Sequence, residues 1–179
     1  MKAIISIISV IVLTVLTSNA MAAVVGFDYD DCLCFTTPSF KVEGQQFGTD
    51  AFWAAVNGNP AVASPKASVV EILKAHVSEG DEVYVITARP DTGAAATIAY
   101  ITATFGVAAD HIIFAPKGKD GVIKKKGITT FYGDSDSDIS DARKGGAEGV
   151  RVERAPESSY KSKYSPGAQG ERVLKGTMY

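Results

Sequence analysis

The chain has 179 residues, 46% hydrophobic and 21% charged, with 18 Lys and Arg against 20 Asp and Glu. That is enough for one domain with its own core, and too apolar for a disordered chain. A formal charge of −2 leaves no basic footprint for a nucleic-acid polymer, and two cysteines make neither a disulfide scaffold nor a structural zinc site.

Met1 to about Ala22 read as a leader: Lys2 is its positive start, Ala3–Leu16 its apolar run, and Ala20-Met21-Ala22 fits a small-x-small cleavage site. The run is shorter than the roughly 20 apolar residues of a membrane span, so export to a periplasm or beyond is expected, with no membrane attachment after cleavage. The remaining domain, residues 23–179, opens with Val24–Asp28 as a buried strand. About residues 36–64 are rich in Gly, Pro, Gln and Asn, with Phe47, Phe52 and Trp53 interleaved, and read as a cap insertion, partly helical around Thr49–Val56. Ser64 as cap and Pro65 at the first position predict a helix that ends at Gly80, with Val69, Val70, Leu73 and Val77 at helical spacing. Further strands are expected at Glu82–Thr87, His111–Ala115, Thr129–Tyr132 and Gly149–Val152. Helices should lie between them at about Thr92–Phe105, Lys119–Lys126 and Ile139–Lys144. This alternation predicts an α/β fold, a three-layer Rossmann-like core with a parallel sheet.

Such sheets bind ligands beyond the carboxyl ends of their strands. Four polar clusters fall there: Asp28-Tyr29-Asp30-Asp31, Thr87-Ala88-Arg89, Lys119, and Gly133-Asp134-Ser135-Asp136-Ser137-Asp138. Asp28 and Asp30, two apart in extended chain, face the same way, and their repulsion calls for a proton or a cation. With Asp134 the donors are all oxygen, which suits Mg²⁺ better than zinc. Thr87, Arg89 and Lys119 are donors for phosphoryl oxygens, with Lys117 a competitor for the role of Lys119. These parts describe phosphoryl transfer with Asp28 as nucleophile and Asp30 as general acid and base. Mg²⁺ would be held by Asp28, the Asp30 carbonyl and Asp134, with Asp138 tethering a metal-bound water. The Asp134 run also imitates the start of an EF-hand, but Ile139 and Gly145 stand where that loop needs Gly and Glu. Cys32 and Cys34 read as small buried apolar residues, and His76 and His111 as packing or surface residues.

The order of clusters resembles the haloacid dehalogenase (HAD) superfamily, and more closely the class B bacterial acid phosphatases. Val25–Asp31 with Phe35–Pro38 is similar to that family's first motif, Phe131–Ile139 to its last, and Ser159–Lys161 and Gly167–Glu171 to its C-terminal tail. The resemblance implies a HAD core and a periplasmic, Mg²⁺-dependent phosphomonoesterase acting at acidic pH, usually a homotetramer. It implies Asp28 as nucleophile, Asp30 as acid/base, phosphate contacts at Thr87, Ala88, Arg89 and Lys119, and metal ligation at Asp28, Asp30, Asp134 and Asp138. Phe40, Trp53 and Tyr160 resemble its aromatic wall for the organic part of substrates such as nucleotides, against the plainer reading of core aromatics. Cys32 stands where the family usually has Thr, Ala88 where it usually has Gly, and the expected mature chain begins just before the first strand. Those departures motivate a rival, an exported phosphate- or metal-binding module of weak activity. A phosphotransferase using the same site is the other alternative.

Overall fold

The computed structural model describes residues 22–179, so all of the predicted leader except Ala22 lies outside the described residues. In chain order the elements are β1 (Val24–Phe27), β2 (Cys34–Phe35), α1 (Asp50–Gly58), β3 (Ser64–Pro65), α2 (Ala67–Glu79), β4 (Glu82–Thr87), α3 (Ala95–Phe105), β5 (Ile112–Phe114), α4 (Asp120–Lys126), β6 (Thr130–Gly133), α5 (Asp136–Gly145), β7 (Glu148–Val152) and β8 (Arg172–Leu174). Six strands form one parallel sheet in the order β5-β4-β1-β6-β7-β8. The chain builds outward from β1 through β4 to β5, then crosses back to lay β6 on the other side of β1. The carboxyl ends of β1, β4 and β6, three adjacent strands, therefore meet at a topological switch point.

Alternation along the central strands divides the core between the two faces of the sheet. Val25, Phe27, Val83 and Val85 pack with Leu73 and Ile101 of α2 and α3. Tyr84, Ile86 and Phe131 pack with Ile123 and Ala142 of α4 and α5 on the other face. Helix, sheet and helix make the three-layer α/β core that the alternation of elements predicts.

Three local expectations are corrected. Ser64 and Pro65 do not start α2; they are extended and pair antiparallel with Phe35 and Cys34. The helix begins at Ala67 after Lys66, whose side chain makes no cap and is buried instead, its Nζ donating to the carbonyls of Asp31 (2.9 Å) and Glu153 (2.6 Å). Tertiary pairing of two short segments 30 residues apart overrides a sound local cap signal. Val77, expected on the buried stripe of α2, is exposed. The last helix starts at Asp136, three residues earlier than expected. Ser135 and Asp138 form a reciprocal capping box that draws the acidic loop into the first turn. Strand β8 has no apolar run to announce it in the sequence: it is a half-exposed edge of three residues.

Candidate active site

Strand β1 delivers Asp28 to the rim, its N–H donating to the Tyr132 carbonyl of β6 at 2.8 Å. The chain then turns, with Leu33 N–H on Asp28 O, Cys34 N–H on Tyr29 O, and Asp31 in the left-handed region at φ 55°. Asp28 and Asp30 thus reach the same cavity by way of a turn, not along an extended strand as the two-residue spacing predicts. The cavity has a volume of about 760 Å³, and Asp28, Asp30, Lys119, Asp134 and Asp138 all line it.

Lys119, at the entry to α4, is buried, and its Nζ bridges Asp28 Oδ1 (2.5 Å) and Asp138 Oδ1 (2.7 Å). One oxygen each of Asp28, Asp134 and Asp138 lies within 4.8 Å of the others. Burial, then the charge of Asp138, raises the Asp28 carboxyl well above the usual carboxylate range, with Lys119 opposing. Burial and Asp138 likewise push Asp134 up to about 7, against the pull of Arg154. Burial would raise Asp138 too, but Lys119 and hydrogen bonds from Ser135 outweigh it and hold that group low. Three buried carboxylates facing one lysine and one arginine are short of positive charge. Their donor set, all oxygen with neither His nor Cys, fits a hard divalent cation.

Asp30 stands apart from that trio. Its side chain is 25% exposed, and Arg89 grips both its oxygens through Nη2 (2.6 Å) and Nε (3.0 and 3.1 Å). The Thr87 hydroxyl donates to Asp30 Oδ2 at 3.1 Å. Burial would raise Asp30, but the Arg89 charge, with hydrogen bonds from Arg89, Thr36 and Thr87, holds it low. Two expectations change here. The main acidic neighbour of Asp28 is Asp138 rather than Asp30. Thr87 is fully buried and does not line the cavity; its hydroxyl supports Asp30. Ala88 and Arg89 do line it.

Phe40, Trp53 and Tyr160 all line the cavity, Phe40 meeting Trp53 edge-on at 6.1 Å. Phe47, not among the expected wall residues, joins them at the mouth with 71% of its surface exposed. Lys117 sits on the exposed rim while Lys119 occupies the floor. Both cysteines are buried and free, the Cys32 thiol donating to Tyr132 O.

Arg154 and Asn57 are site residues that the sequence reading does not single out. Arg154, just beyond β7, donates from Nε to Asp134 Oδ2 at 2.5 Å and lies over the rings of Tyr160 and Tyr164. The signal in the sequence is a cation two residues past the end of the fifth predicted strand, Gly149–Val152. Asn57, buried at the end of α1, accepts from Arg89 Nη1 and donates to the carbonyls of Pro90 and Thr92. Nothing in its neighbourhood of sequence marks that role.

A profile described as HAD superfamily, subfamily IIIB (acid phosphatase), matches residues 1–163. The class B acid phosphatase of Marinomonas sp. (strain MWYL1) is 39% identical over 170 residues, covering 87% of this chain and 72% of that protein. That of Edwardsiella ictaluri (strain 93-146) is 38% identical over 173 residues with the same coverage. The fold is similar to a HAD family hydrolase from Deinococcus radiodurans R1 with bound phosphate and sodium, at TM-score 0.56 and 13% identity over 86% of this chain and 90% of that one. A predicted phosphoglycolate phosphatase from Haemophilus somnus 129pt reaches TM-score 0.58 at 14% identity, covering 88% and 95%. The profile spans nearly the whole chain and the relatives share more than a third of its residues, so the chain belongs to the class B acid phosphatases of HAD subfamily IIIB and is a phosphoric monoester hydrolase.

Proposed function

We propose that the chain is an exported, Mg²⁺-dependent acid phosphatase that releases phosphate from small phosphomonoesters, nucleotides among them, through an aspartyl-phosphate on Asp28. The observation that carries this is the trio Asp28, Asp134 and Asp138, gathered within 4.8 Å on the floor of a cavity that also holds Asp30 and Lys119. Asp28, Asp134 and Asp138 would hold Mg²⁺, which supplies charge that keeps Asp28 ionised and lets it approach a phosphate dianion.

A carboxylate oxygen of Asp28 attacks phosphorus, forming a new P–O bond as the ester P–O bond breaks. Asp30 gives a proton to the departing alkoxide. In the second step Asp30, now a carboxylate, takes a proton from water, whose oxygen attacks the same phosphorus and frees Asp28 and inorganic phosphate. The grip of Arg89 favours the ionised Asp30 of that second step, and transfer of the guanidinium to the substrate phosphate frees Asp30 to carry its proton in the first. Lys119 orients Asp28 and Asp138 and offsets their charge. Phe40, Phe47, Trp53 and Tyr160 form an apolar wall for the organic group, and 760 Å³ is room for a nucleotide-sized ester rather than bare phosphate. Export rests on Lys2, the Ala3–Leu16 run and Ala20-Met21-Ala22, a periplasmic or secreted destination on that leader, and a homotetramer on family resemblance.

The test is hydrolysis of a chromogenic phosphomonoester with and without EDTA, beside Asp28→Asn. Turnover should need the divalent cation and vanish in Asp28→Asn; activity indifferent to EDTA, or surviving that substitution, refutes the roles.

A further inference from the structure

Strand β7 is an interior strand flanked by β6 and β8, and such strands read as apolar runs. Between its buried Val150 and Val152 stands Arg151, with 0% of its surface exposed. Each of its three guanidinium nitrogens donates: Nη1 to the backbone carbonyl of Asp134 (2.7 Å), Nη2 to Asp136 Oδ1 (2.8 Å), and Nε to Glu171 Oε1 (2.9 Å). Glu171 is seated in turn, Oε1 accepting from Gly167 N–H (2.9 Å) and Oε2 from Gln169 N–H (3.0 Å). Asp136 Oδ1 also takes Ser165 N–H, and Gln169 Nε2 donates to the Asp136 carbonyl.

We propose that Arg151, held in place by Glu171 of the C-terminal tail, is a positioning residue for the metal ligand Asp134, so that the tail is a working part of the cation site. This rests on the reading above that Asp134 holds the cation. Arg151 fixes the main chain of Asp134, while Arg154, three residues along the same strand path, fixes Oδ2 of its carboxylate. Those two anchors hold both ends of a short side chain, and Asp134 Oδ1 has no hydrogen-bond partner among the described residues. A buried ion pair is weak grounds for stability, because apolar residues of like volume serve as well. The bond from Arg151 to the ligand's own carbonyl is what an apolar substitute cannot make. Outer partners of this kind commonly change metal affinity by about 10–100-fold when altered. The tail that supplies Glu171 lies beyond the 163 residues matched by the family profile.

The experiment titrates Mg²⁺ into the purified full chain, with binding read by calorimetry and by the shift in thermal midpoint, and no substrate present. Glu171→Gln keeps the volume and removes the charge that seats Arg151; Arg151→Lys keeps the charge and cannot make all three bonds. Arg172→Ala, which removes an exposed pair with Glu148 on neighbouring β8, is the control. Both network variants should bind Mg²⁺ at least about 10-fold more weakly, while Arg172→Ala matches the unaltered chain. In turnover assays the Mg²⁺ needed for half-maximal rate should rise by the same factor, with substrate KM unchanged at saturating Mg²⁺. A folded Glu171→Gln of lower thermal midpoint but unaltered Mg²⁺ affinity overturns the proposal and leaves the network merely structural. An unaltered chain that binds no Mg²⁺ overturns the cation assignment itself, which distinguishes that failure from this one.

Discussion

Gly133 closes β6 immediately before Asp134, and the space at its Cα is already taken. A Cβ there would lie 2.6 Å from Asp138 Cγ and 2.7 Å from Oδ2, and closer still to Asp138 Cβ. Carbon atoms in contact prefer about 3.5–4.0 Å, so in Gly133→Ala the Asp138 side chain must retreat by roughly 1 Å. Asp138 cannot do so freely. Its Oδ1 is 2.7 Å from Lys119 Nζ, and its Oδ2 takes Ser135 Oγ at 2.8 Å and Ser135 N–H at 3.0 Å. A retreat of that size puts these bonds beyond the roughly 3.2 Å hydrogen-bond limit. Overpacking costs about 1–3 kcal/mol and the lost cap about 1 more, so Gly133→Ala should lose about 2–4 kcal/mol. For a chain of this length that is a fall of roughly 5–15 °C in Tm, followed by circular dichroism. Phosphatase turnover should fall with it, because Lys119 and Asp138 leave the geometry in which they meet Asp28. Gly121→Ala in α4 is the companion measurement: its Cβ meets nothing within 4 Å, and it should be neutral or gain up to about 1 kcal/mol. A Gly133→Ala chain as stable and as active as the parent would refute the reasoning.

Lys66→Met removes the donor shared by the carbonyls of Asp31 and Glu153 and should lower stability by about 2–4 kcal/mol in urea unfolding, each orphaned carbonyl costing about 1–3 and the lost burial of a charge offsetting part; an unchanged midpoint would contradict it. Phe47→Ser, at an exposed position, should change stability by no more than about 0.5 kcal/mol, yet raise KM for aryl or nucleoside esters and not for a small alkyl phosphate; equal effects on both substrates would remove Phe47 from the wall. In the cation-free chain, Asp134 holds its proton up to about 7 against 3.8 unfolded, so its contribution to stability is fully present below about pH 4 and is lost as pH rises through 7. Mg²⁺ competes with that proton, and the Mg²⁺-induced gain in Tm should therefore be larger at pH 8 than at pH 5; a gain independent of pH would take Asp134 out of the ligand set.

The strand-end residues were legible because their signal is local. An apolar run that stops at an acid, as in Val24–Asp28 and Phe131–Asp134, states both that a strand is buried and where it surfaces. Gly80 is legible as a helix end for a similar reason: it adopts a left-handed conformation that its own neighbours demand. The clusters at Asp28, Arg89, Lys119 and Asp134 fall on one rim by chain order alone, since a parallel sheet exposes all its carboxyl ends on the same side.

Partnership is what the chain order did not disclose. That Arg89 clasps Asp30, that Lys119 joins Asp28 to Asp138, and that Arg151 and Arg154 hold Asp134 from two ends depend on the strand order β4-β1-β6-β7 and its register. Ser64 and Pro65 show the same division from the other side: a local cap signal lost to pairing with Cys34 and Phe35. Periodicity and punctuation record how each segment meets solvent, so sequence determined the layers, the rim and the acids that stand on it. The choice among charged partners far apart along the chain is made by distances of a few ångströms, which only the assembled sheet sets.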